Sequence, residues 1–195
     1  MDETNLTGEK SLREKLTDCV DSLSSPRALS WDSLPELDLY MDQVIVLMEK
    51  HLALFGDGRD KLLTPSMVNN YVKLGLIPPP VKKKYNREHL ARLTVICMLK
   101  PLLPIPAIAY LTNQCAKSAG LPPAFDQFIQ AQRQALEQAA QSARLEADQD
   151  SGLAEQENLA RLALNLIAQA NASRVLAEKI ALLLQQEEGP PAKKQ

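Results

Sequence analysis

Leu12, Leu16, Val20 and Leu23 recur at steps of three and four, which predicts a short amphipathic helix over 11–23. Ser11 followed by Glu14 supplies a reciprocal cap for its start. The stretch SSPRALS at 24–30 breaks the period with turn residues and reads as a linker. Ser33 with Glu36 predicts a second capped start, and Leu37, Tyr40, Met41, Val44, Leu47, Met48 and Leu52 keep helical spacing over 37–54. FGDGRDK at 55–61 is a loop by its glycines and charges.

Residues 64–75, TPSMVNNYVKLG, predict a short helix with both ends marked. Thr64 suits the N-cap and Pro65 the first helical position, where its missing N–H costs nothing. Gly75 suits the left-handed stop. Met67, Val68, Tyr71 and Leu74 form the expected buried stripe, and Asn69, Asn70 and Lys73 share the opposite face. LIPPP at 76–80 must be extended, and VKKKY reads as a short strand or turn. Asn86 then caps a helix to about residue 100, with Leu90, Leu93, Ile96, Cys97 and Lys100 on one side. After the proline break KPLLPIP, a helix over 106–118 places Ile108, Leu111 and Cys115 inside.

Past GLPP at 120–123 the texture turns to Ala, Leu and Gln. Two long helices follow, over 124–147 and 153–187, broken at DQDSG. The second carries a stripe of Leu159, Leu162, Leu166, Ala170, Ser173, Ala177, Ile180 and Leu184, whose small members allow close helix approach. The chain thus divides into an N-terminal helix and linker (1–30), a compact domain (31–120), a long helical hairpin (121–187) and a disordered tail (188–195). Trp31, Leu34, Tyr40 and Met41 are expected to tie the N-terminal segment to the compact domain as core.

Composition narrows the class. With 4% aromatics and seven glycines among 195 residues, the chain is expected to be all-α, not a sandwich or barrel. The net charge of −2 conceals a segregation. Residues 1–58 hold 5 basic and 12 acidic residues, whereas residues 59–100 hold 9 basic and 2 acidic ones. The basic block suits a polyanion, or it docks on the acidic first third of the same chain. Three cysteines with no CxxC suggest a reduced, intracellular protein. A polar N-terminus and the lack of any run of about 18 apolar residues make it cytoplasmic with no membrane partner. His51 and His89 have no partner at ligand or triad spacing. Cys97 and Cys115 fall on apolar stripes as small core residues, and Asp38 with Asp42 and Glu155 with Glu157 suit solvated helix faces. No catalytic, metal-binding or cofactor-binding constellation emerges, so an enzyme is not expected.

A capped helix with exposed amides, an extended proline turn, three lysines and another helix make a helix-turn-helix with a wing. The stretch TPSMVNNYVKLGLIPPPVKKKYNREHLARLTVI resembles the DNA-binding domain of MerR-type regulators. Thr64-Pro65 takes the helix-opening place; Tyr71, Gly75, Leu76, Ile77 and Pro79 match in turn, and Lys83-Lys84-Tyr85 stands where Arg-x-Tyr would be. PIPAIAYL at 104–111 is similar to the family's following short helix. Asn69 and Asn70 replace the usual Arg-Tyr, and the wing is shortened to VKKK without glycine. Closer still is a resemblance to a bacterial domain-of-unknown-function family with LPELDLYMDQ-like and LTPSMVNNYVKLGLIPPPVKKKYNREHLA-like segments. It covers roughly residues 31–115 and is most specific over 64–93.

The resemblance implies a winged helix-turn-helix, MerR-like domain with a short wing, followed by a helical hairpin for dimerisation or for an unidentified small-molecule effector. The expected function is sequence-specific transcription regulation by a homodimer on double-stranded DNA. Its contact residues would be Thr64, Ser66, Asn69, Asn70, Lys73, Lys82, Lys83, Lys84, Tyr85 and Arg87. An amide bonds an adenine edge best, and wing lysines hold phosphates. The alternative is a helical protein–protein adaptor whose helix-turn-helix-like core no longer binds DNA.

Overall fold

The computed structural model describes residues 10–24, 29–56, 60–148 and 154–187. The middle of the expected linker, the centre of the 55–61 loop, the break after Asp148 and the tail lie outside the described residues. The described chain is mainly helical: α1 (Leu12–Ser24), α2 (Met41–His51), α3 (Pro65–Lys73), α4 (Arg87–Leu99), α5 (Ile105–Ala119), α6 (Leu121–Asp148) and α7 (Glu155–Glu187). Two two-residue strands, β1 (Leu39–Tyr40) and β2 (Lys84–Tyr85), pair antiparallel, and a 3-10 turn spans Ala53–Phe55. No helix among the described residues is long and apolar enough to cross a membrane.

The chain forms two compact units, Met1–Pro26 with Gln132–Asn171, and Arg27–Ala131 with Ala172–Gln195. In the first, Ser11 and Glu14 cap α1 reciprocally: Ser11 N donates to Glu14 Oε2 (2.8 Å) and Glu14 N to Ser11 Oγ (3.1 Å). Val20 of α1 is buried with Ala140 and Ala143 of α6 and Leu162 of α7, flanked by Leu16, Leu159 and Leu166. Alanines at the contact let the helix backbones approach closely. Arg13 N donates to Glu155 Oε1 (2.7 Å), and the Arg144 guanidinium pairs with Asp21.

The second unit is built around α4. Instead of one buried stripe, α4 buries His89, Leu90, Ala91, Leu93, Thr94, Val95, Ile96, Cys97 and Met98, because other elements surround it. Val44, Met48 and Leu52 reach it from the α2 region, Val68 and Tyr71 from α3, Ile108 from α5 and Phe125 from α6. Its N-cap is reciprocal, with Asn86 N donating to His89 Nδ1 (3.1 Å) and His89 N to Asn86 Oδ1 (3.3 Å). An edge-on Trp31–Phe125 contact (6.4 Å between centroids) and a bond from Trp31 N to Asp126 Oδ1 (2.6 Å) fix the segment before α2.

Several expectations change. The helix expected over 37–54 begins only at Met41, because Leu39 and Tyr40 are extended and pair with β2; Ser33 instead closes a turn on Ser30. Leu37 is therefore 81% exposed, and Tyr40, expected in the core, is 51% exposed. Trp31, Leu34 and Met41 do pack on the core. Leu74 leaves the expected stripe at 60% exposure, since the helix has ended at Lys73; Ile77 is buried in its place. Cys115 is exposed because α5 continues beyond its buried residues Ile108 and Ala109, whereas Cys97 is buried as expected.

Candidate nucleic-acid interface

The local sequence of α3 determines which side chains it offers. Thr64 Oγ accepts from Met67 N (3.2 Å), so this hydroxyl serves as the N-cap and opens the helix at Pro65. At the other end, Gly75 N donates to the Val72 carbonyl (3.0 Å) and Leu76 N to the Tyr71 carbonyl (2.9 Å). This is the Schellman pattern, and it requires the left-handed residue that Gly75 supplies at φ +67°. Val68 and Tyr71 anchor the inner face. Ser66, Asn69, Asn70 and Lys73 are left exposed on the outer face and, with Met67, line one shallow hollow of about 580 Å³. Met67 is half-buried: it packs against the core as its apolar character predicts, and its edge reaches this surface.

The extended segment after Gly75 leads into a tight hairpin. Val81 N donates to the Lys84 carbonyl (3.1 Å) and Lys84 N to the Val81 carbonyl (2.9 Å), so Lys82 and Lys83 alone make the turn. Both have positive φ, 51° and 64°, as in a type I′ turn. On its other side Lys84 pairs with Tyr40, and Tyr85 with Leu39. Strand alternation then separates the two partners in the Lys-Tyr pair. Lys84 faces outward with its ammonium 5.2 Å from the centre of the Tyr40 ring. Tyr85 is turned inward, 3% exposed and edge-on to His89 at 5.3 Å.

Of the residues expected to form one contact set, the structure therefore gathers Ser66, Asn69, Asn70 and Lys73 on α3, and Lys82 and Lys83 at the hairpin tip. Lys84 lies beside the tip with its ammonium over Tyr40, and three residues are placed elsewhere. Thr64 is engaged as a cap. Tyr85 is core, and burial pushes its phenol pKa up, as it does for Tyr71. The Arg87 guanidinium donates to the Leu34 carbonyl (3.0 Å) and to Glu36 (3.2 Å), with Asp32 at 3.7 Å, so it ties α4 to the turn before β1. The acidic first third thus does engage the basic block, through this arginine. Lys73, Lys82, Lys83 and Lys84 form no ion pair among the described residues. Sequence reasoning placed Tyr40 in the core and so missed its position beneath Lys84, which comes from the non-local pairing of β1 with β2.

A family model described as a domain of unknown function, DUF1836, matches residues 29–142. No curated protein and no solved structure matches the chain. The matched region takes in α2 to α5 and most of α6, and the chain belongs to this family.

Proposed function

We propose that this member of the DUF1836 family is a sequence-specific DNA-binding transcription regulator of MerR-like, winged helix-turn-helix architecture. In this reading α3 is the recognition helix and the 81–85 hairpin a shortened wing. One observation carries the reading: the outward face of α3 offers two amides, a hydroxyl and an ammonium, while its inner face is locked into the core. Fixed amides on a helix of this kind suit base edges in the major groove. The hairpin lysines, which form no ion pair among the described residues, suit phosphates, which set register.

A nine-residue helix reads few base pairs, so genomic specificity calls for two joined half-sites. The stripe of α7 supports a homodimer. Its first part, Leu159, Leu162 and Leu166, is covered by α1 and α6, yet further along Ile180 and Leu184 are 47% and 42% exposed. Leu176 and Leu183, beside that stripe, are each 62% exposed. Exposed apolar positions at such spacing suit a second copy of the same helix.

The test is selection of genomic DNA fragments by the full chain. The expected result is enrichment of a two-fold-symmetric site. Asn69→Ala or Asn70→Ala should then relax preference at one base position per half-site, by about 1–3 kcal/mol. A selected pool indistinguishable from the input would overturn the reading and favour the adaptor.

A further inference from the structure

The apolar stripe of α7 is self-complementary, yet only half of it is open. Turned antiparallel about its middle, it sets Leu159 against Leu184, Leu162 against Ile180 and Leu166 against Ala177 of a second copy. Ala170 and Ser173 then fall at the crossing, where small side chains let the backbones approach. Each large residue of the first half thus meets a residue of the second half, as an isologous contact requires. The second half is exposed, Ile180 and Leu184 included. The first half is covered: α1 lies in the groove that α6 and α7 form, with Val20 buried against Ala140, Ala143 and Leu162. The run left open, Leu176 to Leu184, is about two and a half turns, whereas the full stripe is about seven. A helix pair of the shorter length has too few layers to hold by itself.

The occupant of the groove is loosely held. Val20 is the one buried residue of α1 among the described residues, and Leu12 at its start is 42% exposed. Its polar ties to the groove are Arg13, to Glu155 and the Ala147 carbonyl, and Asp21, to Arg144. The last pair is exposed, so it contributes little. Both α1 and α7 lie outside the residues that the family model matches. We propose that α1 is a lid on a helix-binding groove between α6 and α7, and that the other occupant of this groove is the end of α7 from a second copy. The two helices compete for one apolar surface, so the fraction of chains with α1 released sets the apparent strength of self-association. The proposal rests on the self-association reading above and adds its regulation.

Sedimentation equilibrium of full-chain variants tests it. Leu16→Asp with Val20→Asp removes the apolar hold of α1 and leaves α6 and α7 unaltered. It is expected to lower the dimer Kd about 5–150-fold. Asp21→Arg sets like charge against Arg144 without touching the apolar contact, and is expected to shift Kd in the same direction by less. Adding Arg144→Asp restores the ion pair and the wild-type Kd. On the Leu16→Asp, Val20→Asp background, Ile180→Asp with Leu184→Asp is expected to return a monomer. Association that survives those two changes would be adhesion of the uncovered surface, and would overturn the proposal. If the wild-type chain dimerises and neither loosened variant tightens the dimer, the lid fails while the self-association reading stands. Absence of association in the wild-type chain and the loosened variants alike would overturn both.

Discussion

Cys97 of α4 is fully buried in the core, with its Sγ toward the Leu62 carbonyl, and burial raises the thiol pKa from its ordinary 9.0 to about 11. Cys19 and Cys115 are exposed. A thiol reagent at pH 8 should therefore label two cysteines quickly in the native chain, and the third only after unfolding. Because the folded state holds the Cys97 proton more tightly, this group's contribution to stability is complete below pH 9 and is lost as pH rises through about 11. Urea midpoints measured across that interval, compared with a Cys97→Ala chain, isolate the effect. Arg87 makes a second prediction. Its bonds to the Leu34 carbonyl and Glu36 imply that Arg87→Ala costs about 1.5–3 kcal/mol of stability by denaturant titration, with no change in the salt dependence of DNA binding. The sequence carried the identity of such residues but not their direction. Tyr85 reads as a site residue because Lys83-Lys84-Tyr85 stands where the resemblance has Arg-x-Tyr, yet strand alternation turns it inward. Cys115 read as core because it keeps helical spacing, yet spacing says nothing of where a neighbouring element ends.

The best-read element was α3, because both of its ends are fixed by local chemistry. Thr64, Pro65 and Gly75 each have a reason to stand where they stand that involves no distant residue. Gly75→Ala should cost about 1–2 kcal/mol in thermal or chemical unfolding. A Cβ at Gly75 would meet nothing within 4 Å, so this penalty is one of backbone conformation alone. The α1 cap and the two long helices were legible for the same reason, through capping residues and a sustained period. What escaped were elements made by non-local pairing. β1 exists because β2, some 45 positions further on, lies beside it, and its two residues shorten α2 from the front. The strand or turn expected at VKKKY is there, but Lys-Lys carries no signal for its positive φ, so the shape of the hairpin is set by its flanking bonds instead of its own residues.

Across the chain, charge and apolar surface are unevenly distributed, and each imbalance calls for a partner. The exposed leucines and isoleucine of the second half of α7 predict self-association. Sedimentation at micromolar concentration should give a dimer for the full chain and a monomer for Ile180→Asp with Leu184→Asp, with the helical content retained by circular dichroism. A full-length monomer would exclude the symmetric two-site arrangement. The basic block predicts a polyanion, and arginine and lysine within it have separated roles. Arg87 and Arg92 are held in ion pairs, Arg92 with Glu88 at 3.0 Å, whereas the lysines of α3 and the hairpin form none among the described residues. Binding of the full chain to duplex DNA, titrated from about 50 to 200 mM salt, tests the central claim most directly. DNA binding predicts a linear fall of log K with log salt, with a slope of about −0.9 for each phosphate contacted. A chain that shows no retention on duplex even at the lowest salt would contradict it.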